Sequence, residues 1–156
     1  MHDMGIELSQ EEYGQAVKEA LRLVDEMKDA KEFGSIIHVT PCNWDRLRRF
    51  AVPRGSSEGQ MRMDIHGEIE ASERLQVLIN IGEALSQKYH AVVTNPPYMG
   101  YRGMSGSLAS YVTKNYPAGK SDLFAVFIQR CNEFTKVNGI YAIITQHSWM
   151  FISAYE

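Results

Sequence analysis

Tyr89-His90-Ala91-Val92-Val93-Thr94-Asn95-Pro96-Pro97-Tyr98 is the stretch on which the fold turns. Its first six residues are rich in β-branched and aromatic side chains and have the length of one strand. Two consecutive prolines then fix φ and remove two backbone donors, so the strand stops at Thr94. Further on, Ser121-Asp122 offers a cap for a helix over Leu123–Phe134, with Phe124, Phe127, Ile128 and Cys131 at inward spacing. Asn138-Gly139 turns the chain into a continuous apolar run over 140–145. Strand, helix and strand, with strands apolar on both faces, predict a parallel βαβ unit buried on both sides. In between, Gly100, Gly103, Gly106, Gly119 and several serines predict a mobile loop over 99–120. Only Leu108, Tyr111 and Val112 make a short helical pattern there.

Upstream, the texture is helical. Ser9-Gln10-Glu11-Glu12 has the form of a capping box. Tyr13, Val17, Ala20, Leu21, Val24 and Met27 follow at helical spacing, predicting one helix of about six turns that ends near Gly34. A short strand is expected over 36–39, stopped by Pro41, and a short helix after Asn43 through Trp44, Leu47 and Ala51. Residues 53–66 have turn composition and no period, the mark of an exposed loop. A further helix is predicted over 67–87, with Ile69, Leu75, Leu78, Ile79, Gly82 and Leu85 on one side. The fold class is therefore α/β: a mainly helical segment over 1–88, then a catalytic part over 89–156.

Bulk properties narrow the function classes. The 156 residues suit one ordinary domain, 44% apolar and 22% charged, with a net charge of −3. Such a balance speaks against a free-standing nucleic-acid binder, which shows a basic face. Cys42 and Cys131 are too few and too far apart for a disulfide framework or a zinc site, and no metal is expected. The longest apolar run, 123–128, is too short to span a membrane, and the N-terminus lacks a signal pattern. A soluble, cytoplasmic protein is the expectation.

The chemistry concentrates in Asn95-Pro96-Pro97-Tyr98. By composition alone such a tetrapeptide occurs in roughly one chain of this length in a thousand or fewer. It follows a strand, where open α/β sheets bind their ligands. The exocyclic amine of adenine is a poor nucleophile, because its lone pair is delocalised into the ring. Acceptors set against both amino hydrogens favour the pyramidal, nucleophilic form. The Asn95 side-chain oxygen and the Pro96 carbonyl can be those acceptors, held at a fixed angle by the two prolines. Tyr98 supplies a flat face for a base flipped out of the duplex.

At these residues the chain resembles the adenine-specific, S-adenosylmethionine-dependent DNA methyltransferases. More narrowly, it resembles the PglX-type enzymes of BREX phage defence and related restriction-modification enzymes. The matching stretches are Tyr89 to Gly100, Lys120-Ser121-Asp122-Leu123-Phe124-Ala125, and Ile144-Thr145-Gln146-His147-Ser148-Trp149-Met150-Phe151. The resemblance implies a Rossmann-like methyltransferase sheet, S-adenosylmethionine as cofactor and double-stranded DNA as the partner of the full-length protein. It makes Asn95, Pro96, Pro97 and Tyr98 the catalytic loop, and Asp122, Leu123 and Phe124 the helix start bordering the cofactor. An N-cap with two core side chains is the other reading of those three. Tyr101, Arg102, Lys114 and His147 become candidates for DNA contact, whereas Trp149 reads as core.

The chain departs from the family in lacking a strand followed by the glycine-rich cofactor turn. It therefore reads as incomplete at both ends, inactive alone, and prone to pair its exposed strand edges in a homo-oligomer. The same tetrapeptide also serves protein-glutamine methyltransferases, and its relatives serve some RNA methyltransferases. A fragment that only binds a partner or itself is a third reading. The 99–120 insertion and the Thr-Gln-His-Ser-Trp-Met tail favour DNA adenine.

Overall fold

A computed structural model describes residues 8–52 and 65–147. In chain order the elements are α1 (Gln10–Glu26), α2 (Ala30–Phe33), a 3-10 turn (Gly34–Ile36), α3 (Trp44–Phe50), α4 (Ile65–Ser86), β1 (Tyr89–Thr94), a second 3-10 turn (Tyr101–Gly103), α5 (Gly106–Asn115), α6 (Leu123–Phe134) and β2 (Thr135–Ile143). They form two compact units, one within 1–29 and 37–86, the other within 30–36 and 87–156. No described helix is long and apolar enough to cross a membrane.

The first unit is helical. The capping box forms as expected: the Ser9 hydroxyl accepts the Glu12 amide at 3.2 Å, and the Ser9 amide donates to the Glu12 carboxylate at 2.9 Å. The helix then ends at Glu26 rather than near Gly34. The chain leaves helical geometry at Met27 because residues 30–36 belong to the other unit's core. The inward face also differs from the expected one. Ala16, Glu19, Ala20, Leu23 and Met27 are buried, while Tyr13, Val24 and Leu21 (66% exposed) are not. Glu19 fixes that rotation: Arg46 of α3 donates to it at 2.6 and 3.3 Å, a two-pronged pair that apolar periodicity cannot reveal.

Residues 36–39 form no strand. Ile36 closes a 3-10 turn instead, and just beyond the segment the backbone amide and hydroxyl of Thr40 donate to the Glu26 carboxylate at 3.0 and 2.6 Å. The short helix after Asn43 is present, and Asn43 caps it by accepting the Arg46 amide at 2.9 Å. Of the loop expected over 53–66, residues 53–64 lie outside the described residues, and α4 already begins at Ile65. Ile79 and Gly82 face inward as expected, whereas Ile69 is exposed.

In the second unit β1 has the expected bounds and pairs with β2 in parallel. The second strand starts at Thr135, five residues early, because Asn138-Gly139 is a bulge within it rather than a turn before it. Asn138 sits at φ 67°, and the register jumps from Tyr89↔Thr135 to Ala91↔Ile140. The expected burial on both sheet faces is absent: Val93, Val137 and Ile140 are 81%, 91% and 72% exposed. The core lies among the helices instead, formed by Ile36, Met104, Leu108, Ala109, Val112, Tyr116, Leu123 and Val126. Five of these eight come from 99–120, so this segment is anchored and not the sparsely packed loop its glycines suggested.

Two contacts tie that segment to residues 30–36. The buried Tyr116 hydroxyl donates to the Ile36 carbonyl at 2.6 Å, and burial pushes its phenol up. The Glu32 carboxylate accepts the hydroxyls of Ser105 and Ser107, the latter at 2.8 and 2.9 Å. Gly119 is required by close approach, since a Cβ there would stand 2.8 Å from the Val126 amide nitrogen. The Ser105 hydroxyl, followed by that of Ser107, holds Glu32 below the usual carboxylate range. A lowered carboxyl stabilises the fold fully above its unfolded value and loses that contribution as pH falls through the folded one. Glu32→Gln should therefore flatten the acid limb of the pH–stability curve below about pH 4.5. An unchanged acid limb in denaturant unfolding would contradict the role assigned to these serines.

Candidate active site

Because the strands are parallel, their carboxyl ends lie on one edge, where Thr94 faces Ile143 and the Ile144 amide donates to the Thr94 carbonyl at 3.3 Å. Residues 95–98 and 144–147 leave the sheet together there. Asn95 is exposed, and its side-chain amide has no partner among the described residues. Pro96 is buried, which anchors the loop immediately after Asn95.

Tyr98 is held at both ends. Its hydroxyl donates to the Ile144 carbonyl at 3.0 Å, joining the two loops at the sheet edge. Its ring meets Phe124 edge-on, with centroids 6.1 Å apart and planes 67° apart. The residue remains 46% exposed, so part of the ring is open for stacking.

The next residues are laced to the start of α6. Oδ1 of Asp122 accepts the Met99 amide and the Phe124 amide, each at 3.2 Å. The Leu123 amide donates to the Met99 carbonyl at 3.0 Å, and the Tyr101 amide to the Ser121 carbonyl at 2.9 Å. Gly100 and Asp122 thereby form a short antiparallel bridge. A carboxylate bound to two amides is a charge-assisted clamp, stronger than a neutral cap. Asp122 thus fills the N-cap position read from the sequence and adds a contact to Met99, just after the tetrapeptide, that spacing could not disclose.

Leu123 and Phe124 are both buried, and they serve different surroundings. Phe124 packs on Tyr98, whereas Leu123 lines a cavity of about 280 Å3 with Pro97, Phe33, Ile36, Leu108 and Phe127. Residues 31–36 form one wall of that cavity. Sequence reading missed them as part of the site, assigning most of them to the first helix. The available signal was Phe33-Gly34-Ser35-Ile36, where the helical period breaks at a glycine that adopts φ +59°.

Tyr101 and Arg102 line a second, larger cavity of about 690 Å3 together with Lys120, which sequence reading placed in a matching stretch but not among the contact residues. Lys114 and His147 are exposed and line neither cavity. Trp149 lies outside the described residues. No group of three His, Cys, Asp or Glu side chains placed to hold a metal occurs among the described residues.

Residues 12–156 match the Eco57I restriction-modification methylase family. Over 126 residues, or 81% of the chain, the sequence is 44% identical to the adenine-specific methyltransferase PglX of Lacticaseibacillus casei (strain Zhang). Over 130 residues it is 42% identical to the adenine-specific methyltransferase BrxX of Escherichia coli O9:H4 (strain HS). The chain spans 10% of the length of each relative. It belongs to the Eco57I restriction-modification methylase family.

Proposed function

We propose that this chain carries the methyl-acceptor side of a site-specific DNA adenine-N6 methyltransferase active in DNA modification or phage defence. The observation that supports it most is Asn95-Pro96-Pro97-Tyr98 at the carboxyl edge of two parallel strands, clamped to α6 by Asp122. In this reading β1, α6 and β2 are a βαβ unit of a Rossmann-like sheet. Double-stranded DNA is the partner of the whole enzyme, from which the target adenine is flipped onto Tyr98.

The residues act by accepting hydrogens. Oδ1 of Asn95 takes one amino hydrogen of the adenine, and the Pro96 carbonyl, which has no partner among the described residues, takes the other. The nitrogen lone pair is then directed out of the ring plane. S-adenosylmethionine, when bound, supplies an electrophilic methyl group on a sulfonium. Asn95 and the Pro96 carbonyl would hold the amine toward that methyl group, and the surplus amino proton would leave to water. Tyr98, fixed at its hydroxyl and its edge, sets the plane of the base.

The cavity beside Pro97 fits part of that cofactor. Its walls, Phe33, Ile36, Leu108, Leu123 and Phe127, suit a flat purine ring. Its volume of about 280 Å3 falls below the ~300–1,000 Å3 of pockets that enclose a whole ligand. Leu123 is the member of the Asp122-Leu123-Phe124 trio that would touch the cofactor. The carboxylate of Asp122 stays engaged with the backbone.

In the full-length enzyme, Asn95→Ala should lower methyl transfer to adenine by about 100-fold or more and leave unfolding unchanged, since Asn95 is exposed. Near-normal turnover would refute the assignment. Titration calorimetry of the 156-residue chain should detect S-adenosylmethionine binding only in the high micromolar range or weaker; a low-micromolar constant would mean that this chain encloses the cofactor by itself. The exposed Val93, Val137 and Ile140 support self-association of the chain through its strands. Light scattering should show a dimer forming as concentration rises, and a monodisperse monomer at high micromolar concentration would contradict it.

A further inference from the structure

The second cavity has the features of an anion site. Residues 99–121 contain Arg102, Lys114 and Lys120 and no carboxylate, within a chain of 19 acidic and 16 basic residues; the next residue, Asp122, approaches Gly100, with its Oδ1 held by the Met99 and Phe124 amides. Local charge is thus reversed in the segment that directly follows the catalytic tetrapeptide. Arg102 and Lys120 both line the cavity, with Tyr101, Thr113 and Ser121 beside them and the 100–103 glycine turn as its floor. Neither cation has an acidic partner among the described residues, and the hydroxyls of Tyr101, Thr113 and Ser121 also have none. Arg46, Arg74 and Arg130, in contrast, are each paired with a glutamate.

Rigidity distinguishes this cluster from scattered surface charge. The Tyr101 amide is bonded to the Ser121 carbonyl, so the segments bearing Arg102 and Lys120 are fixed to each other. The Gly103 and Met104 amides close the turn onto Gly100 and Tyr101 at 2.8 and 3.2 Å. Residues bearing a guanidinium, an ammonium and three hydroxyls thus line one cavity, and such groups suit phosphate oxygens.

We propose that this cavity grips a backbone phosphodiester of the DNA strand that carries the target adenine. The inference rests on the DNA reading given above and goes further by assigning the phosphate to Arg102 and Lys120. Its reach follows from the chain. Three residues lie between Tyr98 and Arg102, four backbone steps that span at most about 14 Å. With a rise of about 3.4 Å per nucleotide, the gripped phosphate lies within about four nucleotides of the flipped base. Holding it there fixes the strand while the base leaves the stack.

The test uses the full-length methyltransferase and a duplex containing its target. The double variant Arg102→Ala/Lys120→Ala is compared with Lys88→Ala/Lys136→Ala, which removes the same charge beside the Tyr89↔Thr135 pair at the opposite end of the sheet. Affinity is measured against salt concentration, with S-adenosylmethionine binding as the report of intact fold. The cavity variant should lose at least tenfold in DNA affinity at 0.15 M salt, and its log–log salt slope should become shallower by about 1 to 2. The control should keep the wild-type slope. An unchanged slope in the cavity variant, or an equal change in the control, overturns the proposal. Asn95→Ala measured alongside separates the two ideas: if it loses methylation while the cavity variant keeps its slope, only the phosphate site fails; if it keeps methylation, the adenine reading fails.

Discussion

A single carboxylate oxygen, Oδ1 of Asp122, accepts the amides of Met99 and Phe124, and the geometry of the loop that follows β1 depends on it. Without that oxygen the segment after Tyr98 would be joined to α6 by neutral backbone bonds alone. The consequence reaches Tyr98, whose ring rests on Phe124, the residue whose amide the carboxylate caps. Helix start, loop and stacking surface are thus fixed by one group. Catalysis by preorganised acceptors needs such economy, because a loop that reorients during the reaction loses the advantage of its dipoles.

The second unit has an unusual division of labour. Its sheet supplies position, and its helices supply the core. Two parallel strands bring 95–98 and 144–147 to one edge, while Met104, Leu108, Val112, Tyr116, Leu123 and Val126 bury most of the apolar surface. Residues 30–36 complete that core from far upstream through the Tyr116–Ile36 and Glu32–serine contacts. The apolar side chains of the strands stay exposed. Parallel strands are ordinarily covered on both faces, so this surface is suited to further protein contact.

Much of this was legible in the sequence wherever the signal is local. The Ser9 capping box, the short helix after Asn43, the Asp122 cap and the halt at Pro96-Pro97 each depend on a few adjacent residues, and each formed where expected. What could not be read depends on partners distant in the chain. Glu19 turns α1 because Arg46 waits 27 residues on, and Glu26 holds Thr40, the residue just after the expected 36–39 strand. The glycines of 99–120 suggested mobility because composition counts residues without showing that Met104 and Tyr116 face a common core. For the site, the tetrapeptide and the α6 start were legible. Residues 31–36 and Lys120 were not, because each comes to its cavity by tertiary folding.

In the proposed reading, the loop over 95–98 is set before any substrate arrives. Amide hydrogen exchange at Met99 tests it most directly, comparing the wild-type chain with Asp122→Ala. A hydrogen bond to a charged group contributes about 1.5–3 kcal/mol, so the account predicts a rise of roughly 10- to 100-fold at Met99 and Phe124. Rates at Val92, Val93 and Ala142 in the strands should stay as they were. Equal Met99 exchange in the two proteins would contradict the claim, and the loop would then owe its position to something other than Asp122.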